Sequence, residues 1–548
     1  MQKRTGGRIL VDQLAAQGCD RLFTVPGESF LAVLDALVDV PRIAVVTCRQ
    51  EGGAAFMACA DGALTGRPGV CFVTRGPGAT NASIGVHVAM QDSQPMILFI
   101  GDVDRGTRDR EAFQEIDFPA MFGPIAKWAA RIDDARRIPE YVARAYATAM
   151  SGRPGPVVLA LPEDMLLDTV EAVDRPQVGH IRQAASATAI ARLRDLLSEA
   201  EAPLAIVGGA GWNARAAAHF QAWAERAGVP VAAAFRRQDA IANGSPAYAG
   251  NLGYGPNPAL LARVRQADLL IVAGARLGEA TTDGYTLVTP DHPGQTLFQV
   301  HPDPVELQRT YRADVAICAD MHDFAAALDA EARWPSRDEA QAAHADYLVW
   351  STPQPRANVR LDLGQCVAAM RAALPADSIL CNGAGNFSGW WHRYWRYAGP
   401  GTQLAPTAGA MGYGLPAAVA ASLRRPDRTV VALAGDGDFL MNGQELATAV
   451  QHGCAILVLV IDNAAYGTIR MHQEREFPGR VSATRLRNPD FAALARAYGG
   501  WAETVDRTED FAGALARATA TPGVRLLHLR TDIEEITPAT TLSAIARR

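Results

Sequence analysis

The sequence predicts an α/β fold of about three domains, each a mostly parallel sheet flanked by helices. Three observations predict it. Strand-like and helix-like patterns alternate along most of the chain, the order that builds parallel sheets from crossovers. The strands read as continuous apolar runs, such as TVVALA at 429–434 and AILVLVI at 455–461, as strands covered on both faces must. The third is length: 548 residues exceed one core, at roughly 100–200 residues per domain.

Composition narrows the function classes. Hydrophobic residues at 49% and charged residues at 20% exclude a disordered chain. A net charge of −6 leaves no nucleic-acid footprint. No apolar run approaches the ~20 residues of a membrane span, and the start, MQKRTGGRILVDQLAAQG, lacks a signal-peptide core. The eight cysteines are scattered without zinc-ligand spacing, several within apolar strands. They fit a reducing, cytoplasmic location.

In order, 9–17 is amphipathic helix, 21–25 strand, 30–37 helix and 43–47 strand. Glu51 then opens a helix of small apolar residues, RQEGGAAFMACADG. The strand at 69–74 ends in RGPGATN, 96–100 is a further strand, and 153–162 closes the first domain (1–167). Residues 168–190 read as a linker. The middle domain, 190–335, repeats strand–turn–helix, and 335–355 is polar enough for a second linker. The last domain spans 356–540 and starts its structure near Asp362.

The stretch 429–468 carries the strongest signal. Its first strand ends at Gly435-Asp436-Gly437, a helix follows at about 441–452, and the second strand ends at Asn463, 27 positions after Asp436. One crossover places neighbouring parallel strands side by side, so both side chains reach one point at the carboxyl edge. A carboxylate, an amide oxygen and a nearby carbonyl form a hard oxygen site suited to Mg²⁺, which fills its octahedron with phosphate oxygens and water.

This pattern resembles the diphosphate–Mg²⁺ signature of thiamine diphosphate (ThDP) enzymes. The resemblance implies Mg²⁺ ligands at Asp436, Asn463 and the Ala465 carbonyl. Asp462 stands where the family has the first Asn of an Asn-Asn pair. It also implies a pair of ThDP-binding domains around a Rossmann-like central domain. RQEGGAAFMACADG resembles the family's RHExxAAxMAxGYAR segment, so Glu51 is expected to hydrogen-bond the aminopyrimidine and supply the proton that activates the cofactor. GPGATN at 76–81 resembles the loop against the pyrimidine, with Arg75 replacing its usual Ser. Pro26, Gly27, Pro77 and Asn81 are the expected contacts on that side. CNGAGNFSGWW (381–391) resembles the diphosphate loop, with Gly385, Asn386 and Phe387 toward the phosphates. Met411, framed by Gly409, matches the residue that holds ThDP bent. Gly435, Gly437, Asp438, Tyr466 and Gly467 complete the expected cofactor contacts.

REAFQEIDFPAMFGPIAKW resembles the acetohydroxyacid (acetolactate) synthase branch. There Phe113, Gln114 and Lys127 match residues of the substrate entrance, and Gln114 and Lys127 are expected to act in catalysis. His472 falls where the synthases carry Trp, and the His-His pair of pyruvate decarboxylases is absent from the entrance region. In the middle domain, Gly209-Ala210-Gly211-Trp212-Asn213-Ala214 formally fits a dinucleotide fingerprint. No acid ends the next strand, where Arg236 and Arg237 stand. The central domain binds FAD in some family members; here an empty or structural domain is favoured.

The implied reaction is decarboxylation of a 2-oxo acid and carboligation to a second carbonyl. A simple 2-oxo acid decarboxylase or C–C lyase is the alternative. A non-catalytic ThDP-fold binding protein comes last, because Glu51 and Asp436 are both present. The family places ThDP between subunits, so a homodimer or homotetramer is expected, with no nucleic-acid or membrane partner.

Overall fold

The computed structural model describes residues 3–209, 211–331 and 333–547. They build three six-stranded sheets, in each of which every pairing is parallel. The first contains β1 (Arg21–Thr24), β2 (Ala44–Thr47), β3 (Gly69–Val73), β4 (Met96–Asp102), β5 (Trp128–Arg131) and β6 (Pro156–Pro162), in the order β2-β1-β3-β4-β6-β5. The second contains β7 (Pro203–Val207), β8 (Val231–Ala233), β9 (Tyr248–Asn251), β10 (Leu269–Ala273), β11 (Thr296–His301) and β12 (Val315–Cys318), ordered β9-β8-β7-β10-β11-β12. The third contains β13 (Ile379–Asn382), β14 (Gln403–Leu404), β15 (Val430–Gly435), β16 (Ile456–Asp462), β17 (Trp501–Val505) and β18 (Val524–Arg530), ordered β14-β13-β15-β16-β18-β17.

The apolar runs become strands because both faces are covered. In the second sheet, alternate residues of one strand enter different cores. Ala205 and Val207 join Phe220, Trp223 and Phe324 on one side, while Leu204 and Ile206 join Leu260 and Val264 on the other. A strand with this period-two split has no polar face to leave in water.

By contacts the chain forms two compact units. One comprises the chain up to Ile181 together with Leu415–Pro426 and Leu440–Cys454; the other comprises Arg182–Gly414, Asp427–Phe439 and the chain from Ala455 on. Within the first unit, helix α1 (Glu51–Thr65) starts at the N-cap Gln50, whose side chain accepts the Gly53 amide, and stops at left-handed Gly66. Helix α2 (Gly76–Asp92) carries Pro77 in its first turn. RGPGATN is therefore not a loop but the start of a helix. Arg424 returns late in the chain to pair with Asp20 (2.7 Å) and Asp61 (2.8 Å).

Two further expectations change. The stretch read as a linker at 335–355 carries the helix Glu339–Trp350, and Tyr347 packs edge-on against Tyr248 at 4.9 Å. The helix expected at about 441–452 is two short ones, Asp436–Asn442 and Glu445–Gln451, with Gly443 and Gln444 between them. Among the described residues no helix is long and apolar enough to cross a membrane.

Candidate active site

The site is built at the carboxyl edge of the third sheet. Parallel register pairs Gly435 of β15 with Ile461 of β16, so the Asp436 turn and the Asp462-Asn463 turn leave the sheet together. Strand order also reverses there: β14 lies on one side of β13 and β15 on the other. Such a switch point opens a crevice for ligands. A cavity of about 230 Å³ occupies it. Gly385–Phe387 follow β13, Gly435 ends β15 with 436–438 after it, and Asn463 with 465–469 follow β16; Gly409 and Met411 also line the wall. All the cofactor residues expected in the last domain thus meet in one cavity.

The polar contacts set its electrostatics. Asn463 Oδ1 accepts the Ala465 amide at 3.1 Å, and Asp462 Oδ1 accepts the Ala464 amide at 2.9 Å. These bonds hold Ala464 at φ +55° and close the turn. Asn488 Nδ2 donates to Asp436 Oδ2 (2.7 Å) and to Asp462 Oδ1 (2.8 Å). His528 Nε2 lies 2.8 Å from Asp462 Oδ2. Burial lifts the Asp436 carboxyl to about 6 against the bonds from Asn488 and Gly437. At Asp462 burial works upward, but bonds from His528, the Ala464 amide and Asn488 outweigh it and hold the carboxyl below its ordinary value. Asp438, expected among the cofactor contacts, turns its Oδ1 to the amides of Gly412 (2.7 Å) and Ala384 (3.3 Å). It ties the Met411 loop to the loop after β13, and burial pushes its carboxyl up to about 7.

The donor set fits the expected group. Among the described residues no three His, Cys, Asp or Glu side chains gather for a metal. One carboxylate with an amide and a carbonyl instead leaves about half the positions of an octahedral hard cation to phosphate and water. Asn386, whose backbone amide donates to Thr468 Oγ1 at 3.0 Å, and the start of the helix Gly467–Glu476 line the same space.

The other expected half lies in the first unit. Glu51 is the first residue of α1, half-buried, and its Oε2 accepts Asn81 Nδ2 at 2.9 Å. Gln114 comes to the same edge: its carbonyl accepts the Gly76 amide at 2.9 Å, with φ +65°. Thr74 bonds Ser29 at 2.9 Å, which closes the segment of Pro26 and Gly27 against the end of β3. Arg75 is buried between Glu28 (3.1 Å) and Glu163, so its charge is satisfied internally. Lys127 makes its contacts at a helix end of the same unit. Its ammonium donates to the carbonyls of Ser151 (2.6 Å) and Arg153 (2.8 Å), just past helix α3 (Ile138–Met150), where a cation meets the negative end of the helix. Phe113 is 71% exposed.

Sequence reasoning missed Asn488, His528 and Glu445. Asn488 stands in RNPD, which reads only as a turn. His528 lies inside an apolar strand, and Glu445 looks like a surface acid of a helix.

The fold and cavity define a ThDP-binding protein, and comparison with known proteins agrees. Three family models match: "Thiamine pyrophosphate enzyme, N-terminal TPP binding domain" over residues 4–121, its "central domain" over 190–328, and its "C-terminal TPP binding domain" over 383–529. The chain belongs to the thiamine pyrophosphate enzyme family. It is similar to the acetolactate synthase isozyme 2 large subunit of Escherichia coli K12, 30% identical over 536 residues that cover 97% of each chain. It is likewise similar to the acetolactate synthase large subunits of Parasynechococcus marenigrum (32% identical, covering 95% of this chain and 87% of the relative) and Corynebacterium glutamicum (30%, covering 94% and 85%). It is a ThDP-dependent enzyme that makes or breaks C–C bonds.

Proposed function

We propose that this enzyme decarboxylates a 2-oxo acid with ThDP and Mg²⁺ and joins the remaining fragment to a second carbonyl compound, as acetolactate synthases do. The observation that carries the reading is the cavity at the β13/β15 switch point, which gathers Asp436, Asn463, Ala465 and Met411 in a chain aligned end to end with such synthases. When bound, ThDP supplies a carbon nucleophile and a cationic ring that takes up the electrons released with CO₂. The chain's own residues do the rest. Asp436, Asn463 and the Ala465 carbonyl would hold the Mg²⁺, Met411 would prop the bend, and Glu51, steadied by Asn81, would hold the proton at the aminopyrimidine. Glu51 and Asn81 open onto the surface of their own unit; a second copy of the chain is proposed to bring its diphosphate half to them. The eight cysteines are all thiols, in keeping with a cytoplasmic location.

A panel of 2-oxo acids tests the reaction, with CO₂ and ligated product measured separately. Both are expected in step. CO₂ without ligated product, over a range of acceptor aldehydes and oxo acids, would move the enzyme to the decarboxylases.

The central domain is proposed to hold no flavin. Its switch point lies between β7 and β10, and no acid ends the next strand, where Arg236 and Arg237 stand. A Cβ on Gly209 would sit 1.9 Å from the Gly274 carbonyl oxygen, and the Trp212 indole donates to the Gly208 carbonyl at 2.9 Å. Ala210 of the fingerprint lies outside the described residues. Purified protein should show no visible flavin band; a stoichiometric yellow cofactor released on denaturation would reverse this assignment.

A further inference from the structure

We propose that Glu445 is a positioning residue for Glu51, fixing the backbone from which the activating acid projects. Glu445 opens the helix Glu445–Gln451 and has no exposed surface. Its Oε1 accepts the backbone N–H groups of Arg49 (3.1 Å) and Gln50 (2.9 Å), and its Oε2 accepts the Thr448 hydroxyl (2.6 Å). The Arg49 guanidinium turns elsewhere, to Gln451 Oε1 and the Thr47 carbonyl. One buried carboxylate therefore holds the backbone N–H groups of the two residues directly before Glu51.

The neighbourhood is shaped around this contact. A Cβ on Gly53 would stand 2.8 Å from Glu445 Oε1, so the carboxylate seat needs glycine in the first turn of α1. Gln50, the N-cap, spends its side chain on the Gly53 amide at 3.0 Å. Two positions before Arg49, His452 Nε2 accepts the Thr47 amide at 3.2 Å. The segment Leu440–Cys454 thus grips the β2–α1 turn at three amides. Packing alone would be served by an apolar side chain. Two successive part-buried amides need an acceptor, and a carboxylate makes stronger bonds to N–H groups than a neutral acceptor does. Catalytic groups tolerate misplacement of only about 0.5 Å.

The inference rests on Glu51 being the activating acid, and its test separates the two. Hydrogen–deuterium exchange at C2 of bound ThDP would be compared in wild type, Glu51→Gln, Glu445→Gln and the double variant, with Mg²⁺ present. Glu445→Gln keeps the shape but sets an NH₂ where one acceptor stood. It is expected to slow exchange by roughly 10–100-fold while calorimetry shows ThDP affinity near wild type. The double variant should exchange no slower than Glu51→Gln alone, because Glu445 acts only through that acid. Without cofactor, the amides of Arg49 and Gln50 should exchange with solvent faster in Glu445→Gln. Wild-type C2 exchange in Glu445→Gln, or an equal further slowing on top of Glu51→Gln, would overturn the proposal and leave Glu445 a structural acid. Were Glu51→Gln itself to exchange at the wild-type rate, the reading of Glu51 would fall and this inference with it. If Glu445→Gln does not fold, Gly53→Ala, which crowds the same carboxylate, is expected to slow exchange; unchanged exchange there would count against the proposal equally.

Discussion

Asp436→Ala is expected to abolish tight ThDP binding while the fold survives. Asp436 supplies the one carboxylate among the three proposed Mg²⁺ ligands, and what remains after its loss is an amide oxygen and a carbonyl. Losing a residue that merely supports a metal ligand typically costs roughly 10–100-fold in affinity, so losing the ligand should cost more. The strand before it is held by the β13–β15–β16 ladder and not by the carboxylate, so circular dichroism should be unchanged. Calorimetric titration with ThDP and Mg²⁺ is the measurement, and a chelator on wild type should mimic the variant. Unaltered affinity would remove Asp436 from the metal site. A pH dependence accompanies it. Burial raises this carboxyl to about 6, and the protonated acid is a poor cation ligand. Mg²⁺ uptake should therefore weaken as pH falls through that value and be fullest above it.

The parts of this protein that were legible in sequence are local ones. A parallel strand buried on both faces shows itself as an apolar run, and β15 and β16 appear within a residue of where the pattern puts them. Asp436 and Asn463 follow from one crossover of 27 positions, so their meeting needs no long-range knowledge. The illegible parts depend on partners far along the chain. Glu445 bonds amides nearly 400 positions earlier (|i−j| = 396 and 395), and on a helix pattern an acid with buried partners looks like one facing water. The helix-end contacts of Lys127 are hidden for a related reason: the sequence of an entrance motif says nothing of the carbonyls its ammonium meets. The helix Glu339–Trp350 was hidden because its buried face is carried by Ala340, Ala343 and Tyr347, too few and too small to stand out among polar neighbours.

Glu51→Gln is the substitution expected to cost most in turnover with least disturbance elsewhere. Glutamine retains the length, the shape and an oxygen for Asn81 Nδ2, which now donates at 2.9 Å. The N-terminus of α1 is held independently, by Gln50 on the Gly53 amide and by Glu445 on the amides of Arg49 and Gln50. The helix should therefore form as before, and ThDP and Mg²⁺ should bind nearly normally. What glutamine cannot do is hold and release a proton at the aminopyrimidine. General acid–base roles are worth roughly 10²–10⁴-fold, and a proton needed in every turnover belongs at the upper end of that range. Exchange at C2 of the bound cofactor reports the step without a substrate: fast in wild type, slowed in Glu51→Gln by a similar factor. If the two proteins exchange equally, the activating acid is some other group, and a role for this fold in binding without catalysis gains the ground that Glu51 loses.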